Sequence, residues 1–231
     1  DNVKSVKNGW YKISSLKSYL KNNKLSRSKK LKDYIINEPK VGISRSKYTN
    51  TVEEGKLYRV DLKRLNNIRI VIEFEGLELP KNGILKLGGE GKTVYYNKIE
   101  KEEIDIPDIK KSFKLYLTTP AIFNNGWIPD WIDDDTFMGT ISGTNLKVKL
   151  ITAVTGKSQN IGGFDIKARK PKKMYRAVPA GSVYYFEILK GNKKELINIH
   201  GGSISQKREK EGFGIAYVGK YKNDMEAEWK L

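Results

Sequence analysis

The chain has 231 residues, enough for one large domain or two small ones with a buried core. Hydrophobic residues make up 38% and charged residues 31%, which excludes a disordered chain, and no apolar run is long enough to span a membrane. Lys and Arg total 44 against 27 Asp and Glu, so the net charge of +17 predicts a polyanionic partner, with nucleic acid first and an anionic membrane second.

The first predicted elements are a short amphipathic helix and a strand. Over residues 13–25 the apolar side chains recur at helical spacing with lysines between them, and residues 29–34 extend this pattern. Pro39 ends it, because the residue before a proline avoids the helical conformation. Residues 41–43 then predict a short strand, and residues 44–55 predict a polar, mobile loop. This loop carries two cations of interest, Arg45 and Lys47.

The rest of the chain predicts an antiparallel sheet. Residues 57–65 and 68–74 alternate apolar and polar side chains, and the Asn66-Asn67 pair between them predicts a β-hairpin. In residues 146–154 the alternation of Leu and Val with Lys is typical of a half-buried strand with a cationic outer face. Further strands are predicted over residues 93–96, 113–117, 183–189 and 213–218. The pattern predicts a mainly antiparallel α+β fold.

Glycine-rich stretches invite comparison with phosphate-binding loops. Residues 88–93 end like a nucleotide-binding P-loop, but Lys86 stands at the first glycine position and a strand pattern follows where a helix is required. Around Gly212 and Gly214, the absence of Cβ atoms would let backbone N–H groups approach a phosphate closely. Three cations precede them: Lys207, Arg208 and Lys210. A simple turn before a strand explains these glycines equally well.

The densest basic segment covers residues 157–176. It has one acid, Asp165, and the rings of Phe164 and Tyr175 lie among its cations. Cations for phosphates and rings for bases are the components of a single-stranded RNA platform. A solvated loop bounded by prolines is the alternative. The cations are Lys157, Lys167, Arg169, Lys170, Lys172, Lys173 and Arg176.

Metal and acid–base chemistry have few candidates. The chain has no cysteine, which excludes disulfides and thiolate sites and is typical of a reducing cytoplasm. Its single histidine, His200, could serve an RNA-cleaving site, but no second catalytic group stands out, so contact with RNA or a structural role is favoured. The acidic run at residues 133–135 could hold a hard cation, although a solvated turn is favoured. We therefore expect no metal or other cofactor.

Several stretches resemble one group of CRISPR proteins. Residues 38–43 and 54–58, which flank a polar loop, look like the thumb hairpin region of the RAMP superfamily. Four further stretches are similar, in order and spacing, to the third subunit of the type III-B (Cmr) complex: residues 87–92, 162–165, 176–186 and 212–219. Members of that family begin with a strand–helix segment that has no counterpart here, and the chain starts at Asp1, so the resemblance implies an incomplete front.

The resemblance implies a fold and a role. The fold would be two ferredoxin-like, RRM-related domains, with a remnant of the first over residues 1–56, including a thumb-like loop at 38–56, and the second over residues 57–231. The role would be a non-catalytic subunit that binds the 5′ tag of the CRISPR RNA and docks on a large polymerase-type subunit and a backbone RAMP subunit. From their chemistry we expect the RNA contacts at Arg45, Lys47, Lys167, Arg169, Lys170, Lys172, Lys173, Arg176, His200, Lys207, Arg208, Lys210, Gly212 and Gly214.

Two other functions stay open on the sequence alone. One is a metal-independent CRISPR-RNA-processing endoribonuclease of the same superfamily that uses His200. The other is a structural assembly subunit whose basic surface contacts acidic protein rather than RNA.

Overall fold

The structure is a computed structural model that describes residues 9–49, 51–89 and 91–221, apart from the side chains of residues 53 and 54. Residues 1–8, where no helix start is predicted, and Glu90 of the predicted glycine-rich loop lie outside this part. The strands are β1 (Gly9–Trp10), β2 (Lys29–Lys30), β3 (Ile35–Arg45), β4 (Val52–Leu65), β5 (Asn82–Lys86), β6 (Thr93–Asn97), β7 (Ser112–Leu117), β8 (Met138–Thr140), β9 (Lys147–Val154), β10 (Gln159–Ile161), β11 (Phe164–Asp165), β12 (Lys170–Pro171), β13 (Tyr175–Ala177), β14 (Val183–Lys190), β15 (Gly202–Ser203) and β16 (Ile215–Lys220). The helical segments are α1 (Ile13–Asn22) and three short 3-10 turns at Leu31–Tyr34, Lys193–Asn198 and Glu209–Glu211.

These elements give a mostly β chain. Each strand pairing in the described residues is antiparallel, and α1 is the one α-helix among them, which agrees with the predicted antiparallel α+β class. The ferredoxin-like topology stays a prediction. Of the predicted strands, those at residues 93–96, 113–117, 146–154 and 183–189 are confirmed within two residues as β6, β7, β9 and β14. The strand predicted at 213–218 begins two residues later, as β16.

The chain divides into two compact units. Unit 1 contains Asp1–Tyr11 and Arg27–Glu103, and unit 2 contains Lys12–Ser26 and Ile104–Leu231. The predicted boundary between residues 56 and 57 falls inside β4, although the assignment of each part to a ferredoxin-like domain stays a prediction.

Strands β3 and β4 form a long hairpin in unit 1. Ile43 lies opposite Leu57, and the pairing continues to the far end of both strands. The predicted hairpin between residues 57–65 and 68–74 is therefore wrong: the first run is a strand, but its partner precedes it, and the second run forms no strand. Alternation identifies a half-buried strand without specifying the strand with which it pairs. Asn67 does have the positive φ of a turn, 56°.

The remainder of unit 1 contains small two-stranded sheets. Strand β5 pairs with β6 across the glycine-rich turn, where Gly88 and Gly91 have φ values of 79° and 65° and the Leu87 amide donates to the Lys92 carbonyl at 3.0 Å. The turn leads into a strand, in agreement with the exclusion of a P-loop. Residues 29–34, predicted to extend the helix, instead form β2 and a 3-10 turn.

Unit 1 exposes much apolar surface. In its described part no side chain is fully buried. Ile72 and Ile84 are each 70% exposed and Tyr95 is 65% exposed, so the described part of unit 1 does not bury its own larger apolar side chains.

Unit 2 contains a six-stranded sheet in the order β15-β16-β7-β14-β9-β8. Strand β9 alternates as predicted: Leu146, Val148 and Leu150 are buried, and Lys147 and Lys149 are exposed. At β9, one face of the sheet therefore packs on the core and the other face is exposed.

Aromatic side chains from the middle strands form the centre of this core. Phe113 of β7 stacks on Phe186 of β14 with ring centroids 5.3 Å apart, and neither side chain has accessible surface. The buried Tyr184 hydroxyl donates to the Trp127 carbonyl at 2.6 Å, and burial raises the pKa of this phenol. Each such side chain contributes roughly 1.5–3 kcal/mol through burial, so these strands hold unit 2 together.

Helix α1 packs on the opposite face of the sheet in unit 2. It ends at Asn22, three residues before the predicted end, because Asn23 adopts a left-handed φ of 59° and its amide donates back to the Tyr19 carbonyl. Leu20 is 1% exposed. The ammonium group of Lys114, on β7, also donates to the Tyr19 carbonyl at 2.8 Å, so a cation from the sheet stabilises the negative end of this short helix.

Candidate nucleic-acid interface

The densest basic segment forms a β-hairpin in unit 2, which we call the basic hairpin (residues 157–176). Strand β10 pairs with β13 and, nearer the tip, β11 pairs with β12. Asp165 closes the tip by accepting a hydrogen bond from the Ala168 amide at 2.8 Å, and Arg169 adopts the left-handed φ of 49° that the turn requires. The one acid in the segment thus has a structural role.

The basic hairpin presents its cations to solvent. All seven of its Lys and Arg residues are exposed. Three apolar side chains stand among them: Phe164 at 58%, Ile166 at 84% and Met174 at 62% exposed. The Lys173 ammonium lies 5.5 Å from the Tyr175 ring centroid. Exposed positive charge and exposed aromatic or apolar groups therefore occur together on one element, as in platforms for single-stranded nucleic acid.

Gly212 and Gly214 do not have the free amides that the sequence predicts. The Gly212 amide donates to the Glu209 carbonyl at 2.9 Å, and the Gly214 amide donates to the Pro120 carbonyl at 2.8 Å. The prediction that these two amides capture phosphates is therefore wrong, because each N–H donor already has a partner within the protein.

Both glycines are required by backbone geometry instead. Gly212 and Gly214 have φ values of 81° and 77°. At Gly214 an added Cβ would lie 2.5 Å from the backbone nitrogen of Ser205, whereas at Gly212 nothing lies within 4 Å. They shape a tight connection into β16.

Arg208 connects this glycine-containing segment with the basic hairpin. Its guanidinium forms a two-point ion pair with Glu211, with Nε–Oε1 and Nη2–Oε2 distances of 2.9 and 2.5 Å. It lies 4.9 Å from the Phe213 ring centroid, and Nη1 approaches the Gly162 carbonyl of the basic hairpin at 3.5 Å. Two segments that are far apart in sequence thus lie side by side, and Lys207 and Lys210 are exposed beside them.

Glu211 is the acid that the sequence analysis missed. The Arg208 guanidinium, with a further contribution from Lys172 of the basic hairpin, holds the pKa of the Glu211 carboxyl below its usual range. The same pair raises the pKa of Arg208. The spacing of three residues between Arg208 and Glu211 is a recognised ion-pair spacing and could have revealed it.

Arg45 and Lys47 lie in unit 1, at the end of the β3–β4 hairpin. The polar loop predicted over residues 44–55 is shorter in the structure, because β4 begins at Val52, opposite Arg45. The Ser46 amide donates to the Thr51 carbonyl at 3.0 Å and closes the connection, and Tyr48 at its tip is 98% exposed. The predicted thumb-like segment is therefore mostly regular strand.

His200 has backbone partners at both ring nitrogens. Nε2 lies 2.6 Å from the Ile104 carbonyl, and Nδ1 accepts a hydrogen bond from the Val218 amide at 3.1 Å. This arrangement requires a neutral ring with the proton on Nε2. Burial lowers the pKa of His200, and the ring packs edge-on against Tyr217. The geometry favours the structural role over proton transfer or RNA contact.

The acidic run at residues 133–135 forms a turn. Asp133 accepts hydrogen bonds from the amide and the hydroxyl of Thr136 at 2.8 and 2.7 Å, and the hydroxyl bond is the first cause of the lowered pKa of this carboxyl. No group of three metal-ligating side chains occurs in the described residues. In the same part of the chain, no helix is long and apolar enough to cross a membrane.

Comparison with known proteins decides the family. The family model described as CRISPR-associated protein (Cas_Cmr3) matches residues 2–221. The chain belongs to the Cas_Cmr3 family. It is also similar to the CRISPR system CMR subunit Cmr3 of Saccharolobus solfataricus, with 33% identity over 176 residues, which are 73% of this chain and 50% of that protein. This member of the family thus spans about half the length of that relative.

Solved structures give weaker similarities. A chain in the cryo-EM structure of the type III-B Cmr-beta bound to cognate target RNA has a TM-score of 0.38 and 20% identity, covering 67% of this Cas_Cmr3 chain and 46% of that chain. A chain of the same complex with target RNA and AMPPnP, state 1, has a TM-score of 0.36 and 21% identity, covering 66% and 46%. These scores carry no argument about the arrangement of the elements.

Proposed function

We propose that this Cas_Cmr3 chain is a non-catalytic CRISPR-RNA-binding subunit of a type III-B Cmr effector complex in antiviral defence, and that it grips the 5′ tag of the guide RNA. The observation that carries the proposal is the proximity of the basic hairpin to Arg208, which joins seven exposed cations to a second basic segment. The net charge of +17 attracts polyanions to such a surface.

In this proposal, side chains rather than glycine amides contact the RNA. Arg169, Lys170, Lys172, Lys173 and Arg176 line the path of the phosphates on the basic hairpin. The exposed ring of Phe164 offers a stacking surface for a base of a single strand. Lys167, Lys207 and Lys210 add charge at its margins. Independently of this path, Arg45 and Lys47 of the thumb-like hairpin in unit 1 contact the guide RNA. The two glycines only shape the segment beside this path.

Docking to fellow subunits is the second part of the proposal. The similar protein of Saccharolobus solfataricus is a Cmr subunit, and unit 1 exposes apolar side chains of the kind that a protein interface covers, including Ile72 and Ile84. We assign to unit 1 the contact with other subunits of the Cmr complex, namely the large polymerase-type subunit and the backbone RAMP subunit.

The test compares two double variants that remove the same charge. Arg169→Ala with Arg176→Ala removes two cations of the basic hairpin. Lys147→Ala with Lys149→Ala removes two exposed cations at the start of β9, outside the basic hairpin. Binding of a repeat-derived RNA is measured by fluorescence anisotropy over a series of salt concentrations. Neutralisation of about six phosphates gives a slope of about −4 in log affinity against log salt for a single strand.

The expected result is a selective loss. The Arg169/Arg176 variant should bind more weakly at moderate salt, with a slope shallower by about 1.4, because two phosphate contacts are lost. The Lys147/Lys149 variant should keep the wild-type slope. Equal losses in the two variants would mean that net charge alone attracts RNA, and the assigned path would be wrong.

A further inference from the structure

The Arg208–Glu211 ion pair leaves the carboxylate, not the guanidinium, facing solvent. The Arg208 side chain is 20% exposed, and the Glu211 side chain is 51% exposed. The guanidinium donates to both carboxylate oxygens, contacts the Phe213 ring and approaches the Gly162 carbonyl. Its positive charge is therefore largely committed within the protein, at the junction of the two basic segments.

The carboxylate has the surroundings of a bound phosphate. A guanidinium holds carboxylates and phosphates in the same two-point geometry. Glu211 receives this contact from Arg208, and Lys172 of the basic hairpin lies near enough to stabilise its negative charge. Two cations from two different segments thus converge on one anionic group.

We propose that Glu211 competes with RNA phosphates for Arg208. The Glu211 carboxylate must leave the Arg208 guanidinium before the guanidinium can pair with a phosphodiester. The inference rests on the proposed function and assigns to it a residue that limits the affinity for RNA. Displacement of Glu211 lowers the affinity for every polyanion. The loss is the same for each strand that pairs with Arg208, so Glu211 lowers the affinity without changing the preference between strands.

The test is Glu211→Gln, with Glu209→Gln as its matched control. Both residues lie in the 3-10 turn Glu209–Glu211, and both changes add one unit of positive charge. Only the first change removes the carboxylate from Arg208. Affinity and salt slope are measured with two probes, a repeat-derived RNA and an oligouridine of the same length. Circular dichroism melts of each variant report whether the fold is kept.

In Glu211→Gln, the released Arg208 should neutralise one more phosphate. The salt slope should therefore become steeper by about 0.7, and affinity at 0.1 M salt should rise about fivefold. The gain should be similar for oligouridine and for repeat-derived RNA, because either strand must displace the same carboxylate. Glu209→Gln should show a smaller gain with either probe. In an Arg208→Ala background, Glu211→Gln should behave like Glu209→Gln.

Each other outcome has a defined meaning. Weaker binding by Glu211→Gln would show that the carboxylate holds Arg208 in position for RNA, and equal effects of the two Gln variants would show that only net charge matters. Either result overturns the inference and leaves the proposed function intact. Failure of the wild-type chain to bind either RNA would overturn the proposed function, and the inference would fall with it.

Discussion

The ammonium nitrogen of Lys114 lies 3.3 Å from the centroid of the Tyr19 ring, and the lysine side chain has no accessible surface. The same nitrogen donates to the Tyr19 carbonyl at the end of α1 and to the Asn23 side-chain oxygen. A ring face, a helix terminus and an amide replace the water that this cation loses. These contacts do not compensate fully for the lost hydration of the ammonium group. Burial therefore lowers the pKa of Lys114 to about 8.

Stability should increase with pH above neutrality. Lys114 titrates at about 8 in the folded chain but at its ordinary value of 10.5 in the unfolded chain. Between these values the unfolded chain binds more protons, so the free energy of unfolding rises with pH, by at most about 1.4 kcal/mol per pH unit. Above pH 10 the raised pKa values of Tyr19 and Tyr184 act in the opposite direction. Urea unfolding from pH 7.5 to 10 measures the rise.

Two lysine variants identify the source of this rise. Lys114→Met keeps the length of the side chain and should abolish the rise between pH 8 and 10. Lys147→Met, which changes an exposed lysine of the same unit, should keep it. A rise that persists in Lys114→Met would show that another group causes it.

We expect His200, the single histidine, to make the free energy of unfolding depend on pH in the acidic range. Because burial lowers the pKa of His200 from 6.5, the unfolded chain binds more protons below that pH. The free energy of unfolding should therefore decrease as the pH falls from 6.5 toward 5, and His200→Gln should not show this decrease. Stability that increased on acidification would mean that the ring gains a proton in the folded chain, contrary to the backbone contacts at both nitrogens.

RNA should remain intact in the presence of this chain. Repeat-derived RNA incubated with the protein in EDTA, and separately in Mg²⁺, should show the same products on a denaturing gel as RNA alone, because neither nitrogen of His200 is available for proton transfer. Cleavage in EDTA that disappeared in His200→Ala would instead support an endoribonuclease.

Gly214 and Gly212 should differ in their tolerance of alanine. Gly212→Ala places a Cβ at positive φ in open space, which costs about 1–2 kcal/mol. Gly214→Ala adds a clash with the backbone of Ser205, whose hydroxyl accepts from the Ile122 amide at 2.9 Å and limits movement. Thermal melts should therefore show a larger loss for Gly214→Ala. Equal losses would mean that Ser205 can move aside.

Local patterns in the sequence predicted the four longest strands of unit 2, namely β7, β9, β14 and β16, and missed the strands of two or three residues. The alternation in β9 depends on burial of one face only, which is visible in the spacing of Val148 and Leu150 between lysines. The pairing of β4 does not follow from such patterns. The sequence predicts β3 only at residues 41–43, and Pro39 ends the predicted helical pattern, whereas in the structure Pro39 lies opposite Asp61 in a two-stranded hairpin.

The cations of the candidate site can be predicted from composition, whereas the backbone contacts beside them cannot. The exposed cations of the basic hairpin follow directly from residues 157–176. The engaged amides of Gly212 and Gly214 could not be foreseen, because the carbonyl of Pro120 that binds one of them is distant in sequence. The cations around Arg208 are visible in the sequence, but their number does not show that Arg208 forms an ion pair with Glu211.

The most direct measurement is photo-crosslinking of guide RNA to this subunit within the assembled Cmr complex, followed by mass spectrometry of the crosslinked peptides. The account predicts crosslinks to the 5′ tag at residues 157–176 and 207–213, with Phe164 and Tyr175 among the modified side chains. Crosslinks confined to other surfaces of unit 2 would contradict it. So would the absence of crosslinks to this subunit in a complex whose other subunits are crosslinked to the guide RNA.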